Sequence, residues 1–324
     1  MMTAIESQRV DQEPKLCIVG DLLIDSTHYV EATKLSPEAP VPVAMLTGDV
    51  IETPGGAGLA AALASKDHIP LIFCTYTSLP RAQWMYDDYK VPVLIGKAGP
   101  YGKSNCVKTR YIDKETHYHL LRVDSDRIVD PPMPTQEIED IWMQQVEEHL
   151  ATKSVKVLVL LDYRKGLLTE ARSRRLINMA RNVNVPVYVD SRSTTLNKFQ
   201  KVDILKLNKE EFENAQSMFG VAGSDDLAAQ EIMESLHIKH LIVTLGAAGA
   251  NVYTAHNIDL HIHADAPVHE GSPDVTGCGD VFDVTFCYYW GIKELTHDAA
   301  LIAAVNRATQ FAYEPIGERL KWQS

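Results

Sequence analysis

The sequence lacks several features that would place a protein in a membrane, outside the cell or on nucleic acid. No run of about 18 apolar residues is present, which excludes a transmembrane helix. Its five cysteines are scattered and form no Cys-x-x-Cys pair, which argues against a disulfide framework and a zinc site. The 43 acidic residues outnumber the 31 Lys and Arg, and a net charge of −12 disfavours nucleic-acid binding. These absences predict a cytoplasmic protein that binds neither membranes nor nucleic acid.

Two nucleotide-binding motifs are also missing. The sequence contains no Gly-x-x-x-x-Gly-Lys-[Ser/Thr] and no protein-kinase motif set.

Residues 1–14 are polar, carry no apolar segment of the kind found in signal peptides, and are predicted to form a flexible leader. The remaining residues, 15–324, are expected to fold, because the whole chain's 45% hydrophobic and 23% charged content is typical of a globular protein that can bury a large core.

One stretch could cradle a phosphate, Thr276-Gly-Cys-Gly-Asp280, which directly precedes an apolar helical run. Glycines allow close backbone approach, and the first N–H groups of a helix have no partner within it. The pattern therefore predicts an anion site formed by Gly277, Cys278 and Gly279. Asp280 beside a bound phosphate is typical of a base that removes a proton from an attacking hydroxyl. The alternative is an ordinary loop-to-helix cap.

Strand and helix patterns alternate along most of the chain. Short buried-strand patterns begin at Lys15, Leu71, Val155, Val185, Asp203 and His240, and amphipathic patterns of 10–15 residues follow most of them. This alternation predicts an α/β fold with a doubly wound, mostly parallel, Rossmann-like sheet and helices on both faces. A helix over Thr169–Asn182 carries Arg172, Arg174, Arg175 and Arg181, which are expected to form a solvated face.

Two segments do not fit the alternating pattern. Residues 26–52 contain three prolines within Ser36–Val43, and proline is excluded from central strands. Residues 105–124 contain two alternating stretches joined by a polar turn, which predicts an antiparallel hairpin. Together these segments are expected to build a small separate β-sheet.

Other candidate site residues lie where predicted strands end. Asp21 and Asp25 follow the first strand, where carboxylates suit the hydroxyl groups of a polyol or serve as a loop acid and a cap. Asn208 and Glu211 can hold Mg²⁺ through water, or form a capping box. The segment containing Thr244, Gly246 and Gly249 can approach a nucleotide, or form a tight turn.

Taken in order, these motifs resemble those of the ribokinase (PfkB) carbohydrate kinases. The matching stretches are Gly20-Asp21…Asp25, Gly55-Gly56, Asn208-x-x-Glu211, Val243–Gly249 and Asp274–Asp280. Within that family, Leu35–Val43 and Leu161-Asp-Tyr-Arg-Lys-Gly166 are most similar to the D-glycero-β-D-manno-heptose-7-phosphate kinase domain of bifunctional heptose enzymes.

The resemblance implies a β-sheet lid, dimerisation through that lid, and transfer of the γ-phosphoryl of ATP, with Mg²⁺, to a sugar hydroxyl. In heptose kinases the acceptor is the hydroxyl at C1. It assigns Asp280 as the base and Gly277, Cys278 and Gly279 as the anion hole. It places Asp21, Asp25, Gly55 and Gly56 at the sugar and Asn208, Glu211, Thr244, Gly246, Gly249, Asp274 and Thr276 at the nucleotide and Mg²⁺. From their charge, we add Lys108, Arg110 and Arg122 as ligands of a sugar phosphate.

The sequence departs from the family pattern on the sugar side. Leu59 stands where the family carries a sugar-binding Asn, a Gly-x-Asp-x-x-Gly segment is missing, and Asp283 lies one turn after Asp280. An altered polar contact can change specificity strongly. Two alternatives therefore stay open: a kinase for another sugar, of the fructose or ribose type, and a catalytically silent member that acts as a binding protein.

Overall fold

The computed structural model describes residues 13–48, 50–95, 106–125, 136–192, 195–255, 261–269, 273–314 and Leu320. Most of the predicted leader lies outside these residues. Within them the chain alternates between strands and helices. In chain order the strands are β1 (Lys15–Gly20), β2 (Leu22–Leu35), β3 (Pro42–Leu46), β4 (Ile51–Gly56), β5 (Leu71–Thr75), β6 (Val93–Ile95), β7 (Val107–Asp113), β8 (His119–Ser125), β9 (Val155–Asp162), β10 (Val187–Ser191), β11 (Ile204–Asn208), β12 (His240–Thr244), β13 (Ala250–Thr254) and β14 (Ile262–Ala264).

The helices begin and end at residues suited to those positions. Ser78, Thr169, Asn208 and Ser224 each accept a hydrogen bond from the N–H three residues on, which satisfies a donor that the helix leaves unpaired. The helices are α1 (Ala57–Lys66), α2 (Leu79–Tyr89), α3 (Gln136–Ala151), α4 (Glu170–Asn182), α5 (Lys209–Phe219), α6 (Asp225–Leu236), α7 (Cys278–Cys287) and α8 (His297–Tyr313). Among the residues described, none of these helices is both long and apolar enough to cross a bilayer.

The larger sheet has nine strands in the order β14-β13-β12-β11-β10-β9-β1-β5-β6. Strands β5, β6 and β9 to β12 run parallel to β1, while β13 and β14 are antiparallel to their neighbours. Residues from α3, α4, α5 and α6 pack in one core, and residues from α1, α2, α7 and α8 in another. The central strands are buried on both faces and are therefore continuously apolar. The predicted α/β fold is confirmed.

The smaller sheet has the order β3-β2-β7-β8, and β4 also pairs with β2. Strands β7 and β8 are antiparallel, as the predicted hairpin requires. The proline-rich segment leads into β3 at the edge of this sheet, where proline is tolerated. The strands of this sheet fall within residues 22–56 and 107–125, where the sequence predicts lid segments at 26–52 and 105–124.

One local expectation was wrong. Arg172 does not belong to a solvated face, because its side chain is only 3% exposed. Its guanidinium donates to Glu139 and to the carbonyls of Gly166 and Leu167.

This difference among the arginines of α4 is testable. Arg172→Ala should lower the free energy of unfolding by about 3 kcal/mol, because it leaves Glu139 and two carbonyls without their donor. Arg174→Ala is the matched control: Arg174 is 56% exposed, pairs with Glu170 four residues away, and should change stability by less than about 0.5 kcal/mol. Urea unfolding of both variants measures the difference. Equal losses would contradict the structural role of Arg172.

Candidate active site

The residues of the predicted anion site lie at the N-terminus of α7. Gly277 is the residue before the helix and has φ 86°, a left-handed conformation that glycine adopts without strain. A Cβ atom on Gly277 would also lie 3.1 Å from Leu59 and 3.2 Å from Phe311. Asp274 shapes the preceding turn by accepting from the N–H of Thr276 at 2.9 Å. Asp274 and Thr276 are thus brought to the same turn as the glycines.

The predicted donors of the anion hole, the N–H groups of Gly277, Cys278 and Gly279, are not equally available to an anion. The N–H of Cys278 donates to the carbonyl of Val275 at 3.2 Å. An anion at this N–H would compete with the turn's own hydrogen bond. Gly277 and Gly279 are therefore stronger candidates for the anion hole than Cys278.

Asp280 lies in the first turn of α7 and is 6% exposed. The hydroxyl of Tyr163 donates to its Oδ1. Burial raises the pKa of Asp280 from 3.8 to about 6, although the Tyr163 hydroxyl and the cations Arg192 and Lys206 oppose the rise. The carboxylate is thus largely ionised at neutral pH and poorly solvated, as suits a general base.

A buried charge cluster that sequence analysis missed lies behind the anion hole. The Nζ of Lys206 is 3.2 Å from Asp190 and 3.4 Å from Asp283. A Cβ atom on Gly279 would lie 3.4 Å from the same Nζ, so the ammonium sits directly beside the glycine. Tyr188 donates to Asp283 at 2.7 Å. The one available signal was a lysine within the apolar strand β11.

The charge cluster gives Asp283 partners other than Asp280, namely Lys206 and Tyr188. Burial and the neighbouring Asp190 raise the pKa of Asp283 well above its ordinary value, and Lys206 and Tyr188 oppose the rise. Burial alone would lower the pKa of Lys206, but the two carboxylates raise it above its ordinary value, so the ammonium stays charged. Asp283 therefore belongs with Lys206 rather than with Asp280.

Asn208 and Glu211 form the capping box that the sequence left as an alternative. Asn208 accepts from the N–H of Glu211 at 2.9 Å, and Glu211 accepts from the N–H of Asn208 at 2.7 Å. Burial and Asp190 raise the pKa of Glu211. Within the described residues there is no group of three acidic, His or Cys side chains that could hold a metal ion alone. The pair fits a hydrated Mg²⁺ shared with phosphates better than a protein-only metal site.

The predicted nucleotide residues follow the neighbouring strand. Thr244 ends β12 and pairs in register with Asn208 at the end of β11. Gly246 has φ 61° and open space around its Cα. Gly249 has φ 88°, and a Cβ there would collide with the carbonyl of Ala264. Thr244 and Gly246 can face a ligand, whereas Gly249 is required by the turn.

Asp21 and Asp25, predicted as a pair, have separate partners. Asp21 is 8% exposed, and its two oxygens accept from the N–H groups of Lys165 and Leu167 at 3.1 and 3.0 Å. Burial raises the pKa of Asp21 to about 6. Asp21 therefore supports a loop, and the structure does not favour the predicted sugar contact. Asp25 instead pairs with Arg110 at 2.5 Å in the small sheet.

Gly55 and Gly56, the two glycines of β4, lie where a side chain would collide with Asp25 or with the backbone of Asp21. A Cβ on Gly55 would lie 2.5 Å from the Oδ2 of Asp25. Gly56 has φ 60°, and a Cβ there would lie 2.8 Å from the carbonyl of Asp21. Their immediate role is to let β4 pack against β2, which brings Asp25 to its position.

The predicted cations of the small sheet differ in their surroundings. Lys108 pairs in register with Asp25, and burial lowers the pKa of Lys108. Arg110 holds Asp25, whereas Arg122 is 51% exposed and bonded to Asp124 at 2.6 and 2.5 Å. Lys108 and Arg110 are thus the cations beside Asp25. Leu59, which replaces the family Asn, packs with Leu63, Val281 and Phe311.

Comparison with known proteins identifies the family. The model for the "pfkB family carbohydrate kinase" matches residues 103–312. The chain belongs to this family of carbohydrate kinases. Curated relatives include the "Bifunctional protein HldE" of Campylobacter jejuni subsp. doylei, 28% identical over 90% of this chain and 61% of the relative. The protein of that name from Stutzerimonas stutzeri is 31% identical over 84% of this chain and 54% of the relative. The chain thus spans little more than half the length of these relatives.

Solved structures confirm the fold. The tetrameric inhibited form of phosphofructokinase-2 from Escherichia coli superposes with a TM-score of 0.72 at 16% identity, covering 95% of this chain and 97% of that one. Ribokinase from Arabidopsis thaliana, complexed with ribose and ATP, gives a TM-score of 0.66 at 16% identity, covering 93% of each chain. At such low identity these matches describe the fold and not the substrate.

Burial of the Asp280 charge predicts a stability change. Because the folded-state pKa is about 6 against 3.8, the folded protein holds this proton more tightly, and stability falls as pH rises through that window. Above about pH 6 the loss in the free energy of unfolding amounts to roughly 3 kcal/mol at most. Asp280→Asn should therefore raise the free energy of unfolding at pH 8 by about 1–3 kcal/mol and change it little at pH 4.

Asp25→Asn is the matched control, because it removes a carboxylate that is 22% exposed and paired with Arg110. It should lower stability or leave it unchanged at pH 8. Denaturant unfolding at both pH values measures these effects. An Asp280→Asn variant that is no more stable than wild type at pH 8 would contradict the assigned burial cost.

Proposed function

We propose that this carbohydrate kinase transfers the γ-phosphoryl of ATP to a sugar or sugar-phosphate hydroxyl, with the C1 hydroxyl of a heptose 7-phosphate as the favoured acceptor. The observation that carries the proposal is the buried Asp280 carboxylate at the N-terminus of α7, with Gly277 and Gly279 beside it. A heptose phosphate as acceptor is supported by the Asp-Tyr-Arg-Lys-Gly segment, the HldE relatives and the cations beside Asp25.

The chain's own groups account for the transfer. Asp280 takes the proton from the acceptor hydroxyl as its oxygen bonds to the γ-phosphorus and the bond from that phosphorus to the β–γ bridging oxygen breaks. The N–H groups of Gly277 and Gly279, backed by the Lys206 ammonium, stabilise the charge on the transferred group. Asn208 and Glu211 would hold Mg²⁺ through water, and the ion would neutralise charge on the nucleotide phosphates. Thr244 and Gly246 would lie against the nucleotide.

Lys108 and Arg110 would select an acceptor that carries a phosphate. Both lie in β7 next to Asp25, so a sugar bound by Asp25 would bring its phosphate within their reach. A sugar phosphate would draw on Arg110 as a bidentate donor and on Lys108 as a point charge. Arg122 contributes less, because it is 51% exposed to water and lies in β8, one strand further from Asp25 than β7.

The test is ADP formation with a panel of heptose 7-phosphate, fructose 6-phosphate, fructose and ribose. We expect the highest kcat/KM with the heptose phosphate and a loss of about 10³-fold in Asp280→Asn, since a positioned base contributes roughly 10²–10⁴. Lys108→Met should reduce kcat/KM for phosphorylated acceptors by about 10-fold or more, and Arg122→Met should reduce it less.

Three outcomes would contradict parts of the proposal. A preference for fructose or ribose would replace the heptose acceptor. Full turnover in Asp280→Asn would remove Asp280 as the base. No turnover of ATP with any sugar would favour the silent binding protein, provided that ATP still raises the thermal midpoint of the wild type.

The proposed partner is a second copy of the chain, bound through the small sheet. Large apolar side chains are exposed on β3 and β8, the two edge strands of the small sheet, and on the neighbouring ends and segments of β2 and β4. Exposed apolar surface concentrated on one sheet is typical of an interaction surface. The exposed residues are Leu35, Val41, Met45, Leu46, Val50, Ile51, Tyr118, Leu120, Leu121 and Val123. Pairing two such sheets buries both patches at once, as a symmetric dimer requires.

Dimerisation through this sheet predicts a charge-sensitive assembly. Leu121→Glu places a carboxylate in the patch, where the side chain is 56% exposed, and should convert the dimer to monomer. Leu227→Glu is the matched control, because Leu227 is 41% exposed on α6, outside the small sheet. Light scattering after size-exclusion chromatography reports the mass of each variant. A Leu121→Glu protein with the mass of the wild-type dimer would exclude this interface.

A further inference from the structure

Tyr163 makes a contact with Asp280 that no motif assigns. Tyr163 is 9% exposed and directly follows β9, and its hydroxyl donates to Oδ1 of Asp280. Burial and the Asp280 charge raise the pKa of Tyr163 well above its ordinary value, so the phenol stays protonated. A protonated phenol can only donate to the carboxylate, and one of the two Asp280 oxygens is therefore already occupied.

The loop that carries Tyr163 is fixed on both sides by buried carboxylates. Asp162 accepts from the N–H of Arg164 at 3.0 Å and is paired with Lys198 at 2.6 Å. Asp21 accepts from the N–H groups of Lys165 and Leu167. Three N–H groups of the loop 162–167 are thus held by carboxylates that are themselves nearly inaccessible to water. The position of the Tyr163 ring does not depend on its bond to Asp280 alone.

A cation covers the ring. The guanidinium carbon of Arg192 lies 4.3 Å from the centre of the Tyr163 ring, within the range of a cation–π contact. The ring is held by this stack and by the loop, and only its hydroxyl reaches Asp280. Removing the hydroxyl should therefore leave the ring in place.

We propose that Tyr163 is a positioning residue for the base: it holds Oδ1 of Asp280, so that Oδ2 alone meets the acceptor hydroxyl. This inference rests on the proposed phosphoryl transfer. A carboxylate held at one oxygen presents the other in a fixed direction, which lowers the cost of reaching the reactive geometry. The donated hydrogen bond also favours the ionised form of Asp280 against the desolvation that burial imposes.

Kinetics of Tyr163→Phe as a function of pH test the proposal. The groups acting on Asp280 are Tyr163, Arg192, Asp190 and Lys206, with Asp283 one turn along α7. We expect kcat at pH 7 to fall about 10-fold with little change in the KM for ATP, because only the base is disturbed. The acidic limb of the kcat profile should move to higher pH by about one pH unit, because the carboxylate has lost a donor. An unchanged limb together with an unchanged kcat would overturn the proposal.

The chain offers a matched control. Tyr188 also donates from a buried phenol to a buried carboxylate of α7, at 2.7 Å to Asp283. Tyr188→Phe should lower the thermal midpoint about as much as Tyr163→Phe but leave the acidic limb in place. If Tyr188→Phe moves the limb equally, the effect of Tyr163 is a general loss of packing or charge balance, and the positioning role is wrong.

A second measurement does not require turnover. The drop in thermal midpoint caused by Tyr163→Phe should be larger at pH 8, where Asp280 is ionised, than at pH 4.5, and this pH dependence should vanish in the Asp280→Asn background. If no sugar is turned over while this coupling is present, the proposed function fails and the contact stands. If sugars are turned over while the coupling is absent, the positioning inference fails.

Discussion

The buried charge of Asp280 is the constraint on which the rest of the site depends. A base for phosphoryl transfer must lie beside an anion site, where the approaching phosphate repels it, and it must be shielded from water to be basic enough. Burial raises its pKa to about 6 and makes the ionised form costly. The Tyr163 hydroxyl, Arg192 and Lys206 each offset part of that cost. The site therefore needs donors and cations that lie outside the Thr276–Asp280 motif.

Helix α7 carries two carboxylates one turn apart: Asp280 is the proposed base, and Asp283 pairs with Lys206. Asp280 faces the tyrosine of a loop, while Asp283 is fully buried against Lys206 and Tyr188. Since Asp190 and Asp283 share the Lys206 ammonium, that charge is fixed beside Gly279. Different environments separate two chemically identical groups, as is common where one carboxylate reacts and the other supports. Asp283 thus tethers a cation behind the proposed anion hole without creating a competing base.

Local patterns were sufficient to predict much of the fold. The strands predicted to begin at Lys15, Leu71, Val155 and His240 begin at those residues, because each is a short, largely apolar run. The helix Leu79–Tyr89 was missed, because its Pro80 and scattered apolar residues give no clear period. Pairings across the sheet could not be predicted, since they join residues far apart in the chain. Tyr163 and Asp280 are 117 positions apart, and Tyr188 and Asp283 are 95 apart.

The sequence predicts Asp21 and Asp25 as a pair, whereas the structure gives the two carboxylates separate partners. Alternation suggested that both carboxylates face one ligand, but Asp21 lies at the end of β1 and Asp25 within β2 of the other sheet. Asp21 holds the loop that carries Tyr163, and Asp25 is held by Arg110. Asp21 thus supports the loop whose Tyr163 contacts Asp280, while Asp25 lies beside Lys108 and Arg110, the cations proposed to bind the acceptor. Five consecutive residues therefore connect the proposed base to the proposed acceptor site, so a change in the register of β2 would disturb both together.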